Sequence, residues 1–241
     1  MQWLSLIGFS AFVGTSLIAG GRLLLLARRT RQVPEAALGA ALFLGGGVGW
    51  ALLVFGMQLL PPAVAPAARL LGNLFIYVGA VSLAAGTAHM FRPGRLGARA
   101  AVVGIAAVFA VSFWQRLLDP TALPIPAFVF WTSTLAGVTC YGWTAIESGR
   151  WHARLRRRAT LGLADADGAR RMGLWAAATG IGVGIYVVTA ANWFVRSEGL
   201  HPAALTLSSL LGLGAAACLW LAFFGRARTR REARPEVAQA S

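Results

Sequence analysis

Seven apolar runs divide this chain, each at or above the roughly 20 residues a helix needs to cross a hydrocarbon core about 30 Å thick. They fall at about 3–27, 36–59, 68–91, 98–118, 126–148, 172–195 and 203–225. Lipid offers no hydrogen bond to a bare amide, so runs of this kind satisfy their backbone internally as helices. The gaps hold turn formers: Pro34, then Pro61, Pro62 and Pro66, then Pro93-Gly94, then Asp119 with Pro120, Pro124 and Pro126, then His201-Pro202. The fourth run reads as the weakest span, because Trp114, Gln115 and Arg116 crowd its end. The expectation is an all-α polytopic membrane protein, a bundle of seven transmembrane helices over residues 1–225. Residues 226–241 are basic and then polar, and are expected to form a disordered cytoplasmic tail.

Arginine alternates across these runs. One set of segments carries Arg28, Arg29 and Arg31, then Arg92, Arg95 and Arg99, then seven arginines from Arg150 to Arg171, then five from Arg226 to Arg234, eighteen in all. The alternating segments carry Arg69, Arg116 and Arg196 alone. Positive charge is retained on the cytoplasmic side, so the N-terminus is expected outside and the C-terminus inside. A wrong number of crossings would scramble that alternation. The first run has no basic segment ahead of it and arginines behind it, which reads as an uncleaved first helix and not a signal peptide. All 22 cationic residues are arginine, with abundant Ala and Gly, a composition that suggests a GC-rich bacterial genome and hence an inner (plasma) membrane.

A net charge of +14 would suggest a nucleic-acid partner in a soluble chain. Here the charges punctuate apolar runs, so topology and anionic lipid headgroups account for them and no nucleic acid is expected. Cys140 and Cys218 both lie inside apolar runs and read as small packing residues. No CxxC, HExxH or CxxCH spacing occurs, so no metal or c-type haem is expected. A haem held across a bundle needs facing histidines at one depth, and of His89, His152 and His201 only His89 lies near a span. A lysine-bound chromophore is excluded, because the chain has no lysine. The cofactor expectation is therefore none. General acid–base chemistry needs positioned titratable groups, and Glu147 is the one acidic residue in the spans, so an enzyme is not expected.

Polar residues inside spans must find partners or face a cavity. Arg22 lies about a turn inside the cytoplasmic end of the first run, and Glu147 near that end of the fifth; snorkelling accounts for Arg22 alone, and an Arg22–Glu147 ion pair is the sharper expectation. Small residues at i, i+4, such as Gly45 and Gly49, or Gly180 and Gly184, let helices approach closely. Asn73 and Tyr77 in the third run, Thr134 and Tyr141 in the fifth, and Tyr186, Thr189, Asn192 and Trp193 in the sixth recur at steps of three and four. One reading is hydrogen bonding between helices plus an aromatic belt. The other is an outward-facing, mostly apolar pocket between the third, fifth, sixth and seventh helices that binds a small ligand.

The one long loop, 148–171, bears Arg154, Arg156, Arg157, Arg158, Arg170 and Arg171, with the fifth helix expected to run on through Arg158. This surface suits anionic headgroups or a cytoplasmic or membrane protein partner. The leading expectation is a receptor or sensor that binds a small apolar ligand in its outer half and signals through that loop. The alternatives are a small-solute transporter and a structural subunit of a membrane assembly, and a homo-oligomer stays open.

Overall fold

The computed structural model describes residues 2–58, 60–119, 126–195 and 201–225, and among these it is all-helical. Helix α1 spans Gln2–Thr30. The second rod, α2, is three pieces that follow without a gap: Val33–Ala40, a wider π-helical stretch Ala41–Gly49, and Trp50–Gln58. Then come α3 (Ala65–Phe91), α4 (Leu96–Leu118), α5 (Ala127–Thr160), α6 (Ala166–Val195) and α7 (Pro202–Phe224). Prolines open several rods where the missing N–H is no loss: Pro34, Pro66 and Pro202 all stand in first turns. Two turns are closed by glycines at positive φ, Gly94 (73°) and Gly162 (71°), and the α1–α2 turn by Arg31 at φ 56°.

Six of these rods are long and apolar enough to cross a membrane, which marks a multi-pass, membrane-embedded protein. The run at 126–148 is the exception: α5 is long, but its hydroxyls, Glu147 and its arginine-rich last turns leave it short of that apolarity. The fourth run, expected to be the weakest, is the most apolar of the six. Its middle, residues 100–111, holds no polar side chain, and Arg116 in its last turn is engaged by Tyr77. The tail 226–241 and Arg196 lie outside the described residues.

The rods pack as a closed ring in the order α1, α2, α3, α5, α6, α7 and back to α1, with α4 outside, in the seam between α3 and α5. Glycines decide which seams are tight. A Cβ on Gly79 of α3 would stand 2.5 Å from the Gly45 Cα of α2, and one on Gly49 would stand 2.9 Å from the Gly72 carbonyl oxygen. Backbone thus lies on backbone along α2–α3, as expected for the Gly45/Gly49 pair. Gly180 meets nothing within 4 Å, so the corresponding pair in α6 does not hold a seam.

Contacts between rods show that the arginine-rich segments share one end. Arg22 of α1 lies over the Phe224 ring of α7, 5.2 Å from its centroid. The Arg170 guanidinium lies against Gly225. His152 of α5 and the Ala169 carbonyl of α6 are 2.7 Å apart, and Arg92 after α3 binds Glu147 of α5. The expected Arg22–Glu147 pair is therefore not the one formed. In the ring α1 packs on α2 and α7 while α5 packs on α3, so Arg22 finds an aromatic face and Arg92 finds the carboxylate.

Candidate functional site

Helix α3 touches three rods, α2, α4 and α5, and its face toward α4 and α5 carries a graded series of contacts. At the arginine-rich end, Arg92 donates to Glu147 Oε1 from Nη2 at 2.6 Å and from Nε at 3.0 Å, while Arg150 Nη1 stands 3.6 Å away. About a turn and a half further along α3, the fully buried hydroxyls of Thr87 and Thr144 meet at 2.8 Å. Only one can donate across; the other returns its proton to a carbonyl of its own helix, Leu83 or Cys140. Next, the buried Cys140 thiol donates to the Ala80 carbonyl at 3.0 Å. Beyond it Tyr77 stacks on Phe109 of α4, with centroids 4.6 Å apart and planes at 23°. Its hydroxyl accepts from Arg116 Nε at 3.2 Å. One turn from that pair, Ser112 of α4 and Thr132 of α5 meet at 3.0 Å.

Beside this series, between α3 and α4, runs a groove of about 400 Å³. Leu74, Tyr77, Val78, Val81 and Ser82 line it from α3, and Ala106, Phe109, Ala110, Phe113, Trp114 and Leu117 line it from α4. The steps of three and four on both helices put these residues on two facing stripes. Alanines at 106 and 110 leave the space, since a larger side chain at either would fill it. The volume falls within the usual range of small-ligand sites, about 300–1,000 Å³. The lining is almost wholly apolar, and Ser82, Tyr77 and Trp114 are its residues with a polar side-chain atom.

The other expected pocket residues make contacts of their own. Asn73 is buried but donates to the Arg69 carbonyl of its own helix at 2.8 Å. Thr134 is buried in α5. Tyr141 and Tyr186 face each other between α5 and α6, rings 5.8 Å apart, each lying over a glycine of the opposite helix, Gly182 and Gly137. Thr189 donates back to the Ile185 carbonyl, and Trp193 stacks on Phe130 with centroids 4.1 Å apart. The Asn192 Oδ1 accepts from the His201 amide at 2.8 Å, tying α6 to the start of α7. Tyr77, Cys140 and Tyr141 share one core cluster, with Tyr186 against Tyr141; Tyr77 is the member of the expected set that lines the groove.

Sequence reasoning missed α4. Its stripe at 106, 109, 110, 113 and 117 is visible as spacing, but without polar residues it reads as lipid-facing surface. In the sequence Arg92 reads only as topological charge.

At the arginine-rich end α5 continues past Ser148 for twelve residues, roughly 18 Å at helical rise. It turns at Gly162 and returns as α6, whose start is capped by Asp165 accepting from the amides of Asp167 and Gly168. Arg154, Arg156, Arg157, Arg158, Arg170 and Arg171 are all exposed on this hairpin, and Leu161 and Leu163 stand out at its tip. Arg170 lies 3.7 Å from Asp167, one turn away on the same helix.

Comparison with protein-family models, with characterised proteins and with solved structures finds no match for this chain.

Proposed function

We propose that this chain is a seven-span bacterial inner-membrane sensor, N-terminus outside, that binds a small apolar ligand in the outer half of the α3–α4 groove. The observation that carries the reading is the groove itself: an apolar trough with Tyr77 in its wall, on a helix that packs against three others. In this reading α5 is the seventh span despite its hydroxyls, because those hydroxyls are spent on its own carbonyls and on α3 and α4. Arginine asymmetry supports the orientation, placing the hairpin 149–171 in the cytoplasm. Helix α3 links the two ends. Filling the groove bears on Tyr77 and Phe109, and α3 ends at Arg92, which grips Glu147 at the base of the basic hairpin. The hairpin then offers its exposed arginines and two tip leucines to a partner.

The test uses brominated dodecane, which quenches tryptophan on contact. In lipid nanodiscs it is expected to quench the Trp114 signal, defined as the difference from Trp114→Phe, saturably in the wild type. Ala110→Phe, which fills the trough, is expected to abolish saturation. Non-saturating quenching that is the same in both proteins would mean plain lipid exposure and end the proposal. A permeation pathway is the second reading, favoured by the π-helical stretch of α2, since transporters interrupt helices at their sites. Flux into proteoliposomes across a solute panel decides it.

A further inference from the structure

Two arginines, one just after α3 and one bound to it, are in opposite circumstances. Arg92 has a carboxylate 2.6 Å away. Arg116, in the last turn of α4 beside the other end of the groove, has none: its hydrogen bond is to the neutral Tyr77 hydroxyl, through Nε. That bond orients the guanidinium and leaves both terminal nitrogens for another acceptor. No described carboxylate lies within ion-pair distance of Arg116. A second cation in the same half of α3, Arg69 in its first turns, has its Nε buried without a hydrogen-bond partner. Guanidinium groups in or near a hydrocarbon core are costly unless paired, and neither of these two cations has an ion-pair partner among the described residues.

The geometry points to a ligand that is an anionic amphiphile, a hydrocarbon chain in the groove ending in a carboxylate or phosphate held by Arg116. This rests on the apolar-ligand reading above and names the chemical class within it. The lining runs from Ala106 to Leu117 along α4, eleven residues or roughly 16 Å at helical rise. That is a channel for an extended chain and is long compared with a compact ring system. Tyr77 and Leu117 flank the Arg116 end, so a chain lying in the trough brings its head to the guanidinium. Arginine's fixed fork matches two oxygens of a carboxylate or phosphate, where an alcohol offers one and an ammonium is repelled. The same chemistry could reach the site as a free fatty acid or as one chain of an anionic phospholipid.

Four brominated probes separate the cases in nanodiscs of neutral phosphatidylcholine, with Trp114 quenching as the readout: a C12 fatty acid, the matching alcohol, the matching amine, and phosphatidylglycerol with brominated chains. The fatty acid is expected to bind about ten- to a hundredfold more tightly than the alcohol, the ratio a charge-assisted hydrogen-bonded pair provides. The amine is expected to bind more weakly than either. Arg116→Gln is expected to bring acid and alcohol together while leaving the alcohol's affinity in place. Whichever of the acid and the phospholipid saturates at lower concentration identifies the source. Equal binding of acid and alcohol by the wild type would overturn the inference, needs no variant, and would leave the apolar-ligand reading standing. Saturable quenching by none of the four would bring down both.

Discussion

Gly79→Ala is the substitution for which the structure makes the sharpest energetic statement. The added methyl carbon would stand 2.5 Å from the Gly45 Cα, 2.6 Å from its amide nitrogen and 3.1 Å from the Ala41 carbonyl oxygen. All three are backbone atoms inside a helix and cannot rotate aside. Restoring an ordinary contact of about 3.5 Å requires α2 and α3 to part by roughly 1 Å, a gap that forfeits a quarter to a half of each dispersion contact. If the seam holds only as many contacts as one buried leucine, roughly 40–60 at 0.1–0.2 kcal/mol each, the loss is about 1–6 kcal/mol, centred on about 3. Alanine's better helix propensity returns about 1 kcal/mol, leaving a net destabilisation centred on about 2 kcal/mol and reaching about 5 kcal/mol at most. Gly45→Ala, whose Cβ would meet Gly79 Cα at 3.2 Å, is expected to cost less. Gly180→Ala meets nothing within 4 Å and is expected to be neutral or up to about 1 kcal/mol stabilising. Reversible unfolding in mixed micelles, followed by tryptophan fluorescence, measures all three. The reasoning fails if Gly79→Ala unfolds together with Gly180→Ala, or if the order of the three is inverted.

Two further perturbations probe the arginine-rich end. Arg92→Gln leaves the buried Glu147 carboxylate with only the more distant Arg150 and is expected to cost about 2–3 kcal/mol. Glu147→Gln should cost less, since Arg92 is about a third exposed and can turn to water. A double-mutant cycle should show coupling for Arg92 with Glu147 and none beyond about 0.5 kcal/mol for Arg22 with Glu147; the reverse pattern would reject the pairing described here. Arg31→Gly relieves a left-handed backbone at φ 56° and is expected to raise stability by about 1 kcal/mol in the same unfolding assay. A loss of stability would show that the Arg31 side chain matters more than its backbone.

Much of this protein could be read along one dimension. Whether a stretch enters lipid depends on its own residues summed over some twenty positions, and so does the side on which its flanking arginines remain. That is why the rods, their order, the turns at Pro34, Gly94 and Gly162, and the extension of α5 past Arg158 were all accessible from the residues. The same summation puts Arg22 and Glu147 near one end of the bundle yet cannot say which partner each meets. Depth follows from position in the run, but direction around the ring does not. Only the packed rods decide that α5 lies against α3, so that Glu147 meets Arg92, and that α1 lies against α7, so that Arg22 meets Phe224. The groove has the same origin. Tyr77 was singled out by its hydroxyl, whereas Ala106, Phe109 and Phe113 became a wall only once α4 settled outside the ring, beside α3. Lipid and helix side chains are equally apolar, so hydropathy cannot tell a face turned to the bilayer from a face turned to a neighbour. Shape complementarity, chiefly where glycines let backbones touch, makes that choice.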